Sequence, residues 1–287
     1  MNPKLRTAAI TDEFSPVDLE AASKAMAAIG MSGAELRVVF GKNIMDLTDD
    51  EVACARRIVN AQGLDVISLS SPLLKCVLPD APDVDERFQK DIFGSKHTFE
   101  DQPRLTRRAF DIAHKTGARI IRVFTYWRTV EPEKCHERIV NTLGDLATLA
   151  AKEDLIIGLE NEHACNIGTA AETALVLKAV MHPNLKVVWD AANAFVAGEN
   201  PFPEGYGKLQ ADRIAHIHVK DCYMNGHKPE WGPVGCCGVD WKGQIAALLA
   251  DGYNGYASLE THWPGPQNDK FQASVICGWN LQHLVSA

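Results

Sequence analysis

The chain has 287 residues, of which 46% are hydrophobic and 23% are charged, a composition typical of a globular protein and unlike that of a disordered one. Lysine and arginine number 29 against 37 aspartates and glutamates, which gives a net charge of −8. This balance offers no basic surface for nucleic acid or anionic lipid. We therefore expect a small-molecule partner and neither a nucleic acid nor a membrane.

Targeting signals and cysteine usage favour a cytoplasmic protein. The first residues, MNPKLRTAAITDEF, have too short an apolar run for a signal peptide, and no later stretch has the roughly 20 apolar residues that cross a bilayer. The eight cysteines are scattered without a CxxC pair, which favours reduced thiols over a disulfide framework or a zinc ribbon. Only Cys236 and Cys237 are adjacent, and for them we expect unusual loop packing rather than a redox role.

Eight short apolar segments recur along the chain. Most begin with continuous apolar, β-branched residues and become polar only at their C-terminal ends, which is typical of parallel strands covered on both faces. The predicted strands are LRTAAITDEF (5–14), GAELRVVF (33–40), LDVISLSSP (64–72), ARIIRVFTY (118–126), LIIGLENEH (155–163), LKVVWDAAN (185–193), IAHIHVKDC (214–222) and GYASLETHW (255–263).

Helix signals lie between these strands. Ser15 followed by Pro16 predicts the start of a first helix, which Gly30 would end. Two pairs have capping-box spacing and three glycines stand where helices would give way to strands: Thr48 with Glu51, Thr169 with Glu172, and Gly63, Gly117 and Gly252.

Eight alternating strands and helices over this length predict a (β/α)8 TIM barrel, a single domain spanning residues 1–287. The alternative is a doubly wound open sheet, which usually carries a glycine-rich turn after its first strand; here that turn is TDEFSP, without glycine. Two long connections, 73–97 and 221–240, would lie on the C-terminal face of the barrel, where lid or substrate loops are expected.

Four charged or imidazole side chains stand at the ends of four successive predicted strands, namely Glu160, Asp190, His218 and Glu260. Any one of them alone is as often a helix cap or half of an ion pair. Three carboxylates converging in a partly dry cavity would repel each other unless a cation neutralises them. Three oxygen donors and one nitrogen predict a divalent metal, with Mn²⁺ first and Mg²⁺, Co²⁺ or Zn²⁺ as alternatives. His216 points to the same side as His218 but lower, and we expect it to be a hydrogen-bonded interior residue.

Several motifs resemble the sugar phosphate isomerase/epimerase group of the xylose isomerase-like superfamily, which consists of metal-dependent barrels. The resemblance covers essentially the whole chain. It rests on ELR (35–37), SPLLK (71–75), IRVF (121–124), GLENEH (158–163), VWDAANAF (188–195), HIHVKD (216–221) and SLETHW (258–263).

The resemblance implies the same four metal ligands that the strand ends indicate. It also implies that the metal binds a carbonyl and an adjacent hydroxyl oxygen of a ketose, and that its charge stabilises an enediolate. Glu160 and Glu260 resemble the catalytic pair that removes and returns the proton, so that the product is an isomer or an epimer. A homo-oligomer, dimeric or tetrameric, is the corresponding expectation for assembly.

A further set of residues is predicted to bind the carbohydrate-like substrate, although each has an alternative structural role. Lys220 could instead balance the acidic cluster or pair with Asp221, and Glu35 with Arg37 could form an interior salt-bridge network. Asn193 replaces a histidine found in some ketose epimerases. The predicted substrate-binding residues are Lys220, His163, Asn193, Glu35, Lys75 and Arg122.

Three other functions compete with the isomerase. A lyase that dehydrates, decarboxylates or cleaves an oxo-glycoside could use the same enolate-forming site. A DNA-repair endonuclease would need additional ligand histidines and a basic face, which a net charge of −8 opposes. A non-enzymatic barrel could have lost the chemistry, but all four predicted ligands are present.

Overall fold

Eight parallel strands close into a barrel in the computed structural model, which describes residues 5–88 and 97–286. Each strand pairs with its neighbours in chain order, and the last pairs with the first. The predicted TIM barrel is confirmed, and the open doubly wound sheet is excluded. The barrel strands are β1 (Arg6–Ile10), β2 (Gly33–Leu36), β3 (Asp65–Leu73), β4 (Ile120–Val123), β5 (Ile156–Glu160), β6 (Leu185–Asp190), β7 (Ile214–Val219) and β8 (Tyr256–Leu259).

Helices surround this barrel and alternate with its strands. In the described residues they are α1 (Leu19–Ile29), α2 (Asp49–Ala61), α3 (Gln102–Thr116), α4 (His136–Lys152), α5 (Ala170–Ala179), α6 (Ala191–Val196), α7 (Trp241–Ala250) and α8 (Lys270–Ser286). None of these helices has both the length and the apolar character needed to cross a bilayer. Their apolar faces pack on the outer surface of the barrel in one continuous core.

The helix ends follow the predicted capping chemistry with one exception. Both capping boxes are present, at the starts of α2 and α5, and Gly30 ends α1 in the left-handed conformation. The predicted start of α1 is wrong, because the helix begins at Leu19 and not after Ser15. Asp18 caps it by accepting a hydrogen bond from the Ala21 backbone N–H at 2.9 Å.

Most of the strands end earlier than predicted. The first ends at Ile10 and continues as a 3-10 turn over Thr11–Glu13, and the last ends at Leu259. Seven of the eight predicted segments therefore joined a strand to the start of the loop that follows it, whereas the third, 64–72, ends one residue before β3 does. The polar ends of these segments form the rim of the barrel, which is where a TIM barrel holds its functional residues.

The two long connections differ in what the structure describes. In the first, predicted at 73–97, residues 89–96 lie outside the described part. In the second, Asp221–Asn225 and Lys228–Gly232 form an antiparallel hairpin, followed by a loop that leads to α7. The Asp221 carboxylate accepts four backbone N–H bonds and so orders this connection, from Cys222, Gly235, Cys237 and Val239 at 2.9–3.1 Å. Burial raises the pKa of the Cys237 thiol to about 12, which suits packing within the loop.

Candidate active site

The four predicted strand-end residues converge inside the barrel mouth. Glu160 ends β5, Asp190 ends β6, His218 lies near the end of β7, and Glu260 follows β8. Each offers one ligand atom, and all four atoms lie within 4.8 Å of one another. The strand register explains this, since Asp190 pairs directly with His218, which in turn pairs with Ser258 two residues before Glu260. All four residues are at least 97% buried.

His218 lies at the centre of this group. Its Nδ1 is 3.1 Å from Glu160 Oε1 and 3.4 Å from Glu260 Oε2, and its Nε2 is 3.3 Å from Glu35 Oε2. Burial alone would lower the pKa of His218, but the surrounding carboxylates Glu35, Glu160 and Glu260 raise it well above its usual value. The surrounding carboxylates therefore favour the imidazolium form of His218.

Lys220 bridges two carboxylates of the group. Its Nζ is 2.7 Å from Asp190 Oδ2 and 2.9 Å from Glu260 Oε2. It therefore balances the acidic cluster and does not pair with Asp221. Although burial opposes ionisation, Lys220 and His218 hold the pKa of Glu260 well below its ordinary value. The pKa of Asp190 is raised to about 6, mainly by burial. Lys220 lowers this pKa, and the nearby Glu160 and Glu260 raise it.

Arg122 lies between the two glutamates. Its Nη1 is 3.1 Å from Glu160 Oε2 and 3.6 Å from Glu260 Oε1. The backbone carbonyl of Ser70, 3.0 Å from Nη2, anchors the same guanidinium. This predicted substrate residue is thus held by the site carboxylates themselves.

Arg37 belongs to an interior network, but its partner is not Glu35. The guanidinium contacts Asp12 Oδ2 at 2.8 Å, Glu13 Oε1 at 2.6 Å and Glu260 Oε1 at 2.8 Å. Lys270 contacts the other oxygen of Glu13 at 2.7 Å. The sequence analysis missed Asp12 and Glu13, although they are the polar residues of TDEF that directly follow β1.

Two asparagines hold the carboxylates in place. Asn193 donates from its side chain to Glu160 Oε1 at 3.4 Å and from its backbone to Asp190 Oδ1 at 2.7 Å. Asn161, which the sequence analysis missed, brackets the Asp190 backbone through its amide, at 2.8 and 2.9 Å. Its position directly after Glu160 was the available signal.

Lys75 and His163 form a separate group around Glu162. Lys75 Nζ is 3.3 Å from Glu162 Oε2, and His163 Nδ1 is 3.0 Å from Glu162 Oε1. His163 Nδ1 also lies 3.1 Å from Asn193 Oδ1, which connects this group to the site. Burial would lower the pKa of His163, but Glu162 raises it above its usual value.

Charge and donor chemistry in the cluster fit a divalent cation. Glu160 Oε2 and Asp190 Oδ2 are buried and accept no hydrogen bond from the described residues, although a cationic nitrogen lies near each. Three carboxylates and one imidazole are suitable ligands for Mn²⁺, Mg²⁺, Co²⁺ or Zn²⁺. Six carboxylates face four lysine or arginine side chains in the connected network, so its net charge is −2 before the histidines are counted. The carboxylates are those of Asp12, Glu13, Glu35, Glu160, Asp190 and Glu260, and the cations are Arg37, Arg122, Lys220 and Lys270.

Comparison with known families agrees with this fold. The model of the xylose isomerase-like TIM barrel family matches residues 23–277. The chain belongs to this family. No curated protein matches the chain.

Solved structures of xylose isomerase-like and related barrels share the fold at low sequence identity. IolI protein, described with a binding zinc atom, is 16% identical with a TM-score of 0.73, and 98% of each chain is covered. The probable 3-DHS dehydratase AsbF from Bacillus anthracis is 20% identical with a TM-score of 0.68, over 94% of this chain and 97% of that one. A xylose isomerase-like TIM barrel/4-hydroxyphenylpyruvate dioxygenase fusion protein is 18% identical with a TM-score of 0.70; the match covers 96% of this chain but only 42% of the fusion.

Proposed function

We propose that this xylose isomerase-like barrel is a divalent-metal-dependent isomerase or epimerase of a ketose, a keto-acid sugar or a related polyol. The observation that carries the proposal is the convergence of Glu160, Asp190, His218 and Glu260 on one buried point. Three buried carboxylates this close together need cationic partners, a role that a bound cation would share with Arg122, Lys220 and His218. The position at the C-terminal face of the barrel is the usual place for catalysis in this fold.

In this proposal the three carboxylates and His218 hold the metal. When bound, the cation acts as a Lewis acid that polarises a substrate carbonyl and offsets the negative charge that develops next to it. Mn²⁺ is the expected ion, and Mg²⁺, Co²⁺ and Zn²⁺ suit the same ligands. The zinc named for the IolI structure supports a metal in this kind of barrel.

Glu160 and Glu260 would move the proton. They extend from β5 and β8, which are separated by two strands in the barrel, so they approach the point of convergence from different directions. Glu260 is held in its ionised form and can accept a proton from a carbon next to the carbonyl. Return of the proton by the same glutamate to the neighbouring carbon, with transfer of the hydroxyl proton to the former carbonyl oxygen, would isomerise the substrate. Return to the same carbon by the other glutamate from the opposite face would epimerise it.

The remaining predicted residues would position the substrate or the glutamates. Arg122 contacts both glutamates, and Asn193 donates to Glu160, so both would orient the catalytic pair. Lys220 lies beside Glu260 and could stabilise a developing oxyanion. Lys75 and His163, whose side chains are 12% and 22% exposed, would contact substrate hydroxyls or an anionic group. Glu35 is the last of the six predicted substrate-binding residues.

We further propose that the enzyme is a cytoplasmic dimer or tetramer that binds neither nucleic acid nor membrane. Light scattering on the purified protein measures the assembly directly. A monomer at micromolar concentration would contradict the proposed assembly and leave the chemistry unaffected.

The metal site is tested by measuring the metal content and Mn²⁺ affinity of the purified protein. We expect about one bound equivalent, and affinity reduced at least about tenfold in Glu160→Gln and Asp190→Asn. Glu172→Gln is the matched control, because this glutamate caps α5 outside the cluster and should leave the affinity unchanged. Wild-type protein that binds no Mn²⁺, Mg²⁺, Co²⁺ or Zn²⁺ would contradict the proposal.

The reaction class is tested with candidate ketoses and keto-acid sugars in deuterated water. Incorporation of deuterium at one carbon with an intact skeleton supports the isomerase or epimerase. Release of water, carbon dioxide or an aglycone would instead support a lyase that uses the same site. The similar AsbF structure is named as a probable dehydratase.

A further inference from the structure

Glu35 makes contacts that the proposed chemistry does not use. It lies on β2 and reaches across the barrel interior to β7, which is three strands away around the ring. Its side chain is only 1% exposed. Among the described residues its hydrogen bonds go to Ser70, His216 and His218, and not to Arg37, with which an interior salt-bridge network was a possibility.

The side chains that contact Glu35 are hydrogen-bond donors. Ser70 Oγ donates to Glu35 Oε2 at 2.9 Å. His216 Nε2 is 2.7 Å from Oε1, and His218 Nε2 is 3.3 Å from Oε2 and 3.2 Å from Oε1. A carboxylate can only accept hydrogen bonds, so the contacts with Glu35 favour a proton on Nε2 of both imidazoles. Glu160 and Glu260 favour a proton on Nδ1 of His218 in the same way until a cation takes its place.

The position of that proton decides which nitrogen can bind a metal. An imidazole coordinates through the nitrogen that carries no proton, and the hydrogen bond made by the other nitrogen selects it. His218 Nδ1 faces Glu160 and Glu260 at 3.1 and 3.4 Å, whereas Nε2 faces Glu35. Once a cation in the cluster replaces the Nδ1 proton, a proton held on Nε2 by Glu35 would leave the lone pair of Nδ1 directed at that cation.

We infer that Glu35 is a positioning residue that holds the proton of His218 on Nε2 and so makes Nδ1 the metal-binding atom. His216 supports the arrangement, because its ring lies edge-on to that of His218 with centroids 5.4 Å apart and an interplanar angle of 87°. Ring reversal of His218 would have to displace this neighbour. The inference rests on the proposed metal site.

The first test locates the proton in the full-length, zinc-loaded protein, since Zn²⁺ is diamagnetic. Two-bond ¹H–¹⁵N correlation spectra of ¹⁵N-histidine-labelled protein distinguish the two tautomers, and His218→Gln identifies the signal. We expect a protonated Nε2 and a metal-bound Nδ1 for His218. A protonated Nδ1 with coordination through Nε2 would overturn the inference.

The second test measures Zn²⁺ affinity by competition with a chromophoric chelator. Loss of the carboxylate in Glu35→Gln should weaken binding about 10- to 100-fold, the usual effect of removing an outer partner of a ligand histidine. Glu172→Gln should bind as the wild type does. If Glu35→Gln and the wild type bind zinc equally well, the inference about Glu35 fails and the proposed metal site stands. If the wild type binds no zinc, both the inference and the proposed metal site fail. If Glu35→Gln fails to fold, the wild-type spectrum decides.

Discussion

Two buried ionic networks share the mouth of the barrel, and they differ in how their charges are satisfied. Around Arg37, the nitrogens of one planar guanidinium fork face Asp12, Glu13 and Glu260 at 2.6–2.8 Å. Around His218, one oxygen from each of three carboxylates and an imidazole nitrogen converge on one point, although Arg122 and Lys220 also face these carboxylates at 2.7–3.1 Å. The first pattern is that of a structural ion-pair network, and the second is that of a cation site.

Glu260 belongs to both networks through different oxygens. Its Oε1 contacts Arg37, and its Oε2 contacts Lys220 and faces His218. Arg37 thus contacts one oxygen of Glu260, while the other oxygen faces His218. Substitutions on either side of Glu260 can therefore separate a structural role from a cation-binding one.

Arg37→Met should have the largest effect on stability. Removing the guanidinium leaves three buried or nearly buried carboxylates without their main partner, which costs about 3–5 kcal/mol of unfolding free energy. Chemical denaturation with and without Mn²⁺ measures the cost. We expect Mn²⁺ to add the same stabilisation to this variant as to the wild type. A loss below about 1 kcal/mol would show that the Arg37 network is not structural.

Lys220→Met should cost somewhat less, about 3 kcal/mol in metal-free protein, because Arg37 and His218 still face Glu260. In this variant Mn²⁺ should restore more stability than it adds to the wild type, since a bound cation takes over the charge that the ammonium supplied. The measurement is the difference in unfolding free energy between Mn²⁺ and a chelator. If Mn²⁺ stabilises both proteins equally, the distinction between the two networks is wrong.

His163→Asn should have the smallest effect, and one that depends on pH. Burial would lower the pKa of His163, but Glu162 raises it in the folded protein. The protonated imidazole therefore contributes stability that is fully present below the unfolded pKa of about 6.5 and is lost as the pH rises through the higher folded pKa. We expect the wild type to exceed the variant by about 1 kcal/mol more at pH 6 than at pH 9. A difference that does not change with pH would show that folding does not shift the pKa of His163.

Local sequence patterns predicted the elements well where a few neighbouring residues decide the conformation. The capping boxes at Thr48 and Thr169 are present, since each needs only a side chain and a backbone N–H three residues apart. The start of α1 was predicted wrongly, because Ser15 and Asp18 both offer capping oxygens and the chain uses the later one. Most strands were predicted to end too late, because the polar rim residues follow the apolar run directly and the sequence does not mark where the hydrogen bonds between strands stop.

The candidate site was predictable to the extent that parallel strands end at the same edge. This rule alone brings Glu160, Asp190, His218 and Glu260 together, and the structure shows them adjacent. The partners of Lys220 and Glu35 were not predictable in the same way. Each depends on the depth and direction of a long side chain within the barrel, which neighbouring residues do not specify.

The sequence by itself therefore determined the barrel, its order of strands and the four groups at its mouth, because periodicity, capping and strand polarity are local and repeat along the chain. Only the tertiary structure decided which charges meet. Arg37 and Glu260 are separated by 223 positions, and Glu35 and His218 by 183, yet each pair is in contact across the closed sheet. Barrel closure and side-chain packing create these contacts, and they place Glu260 in both the Arg37 network and the cluster around His218.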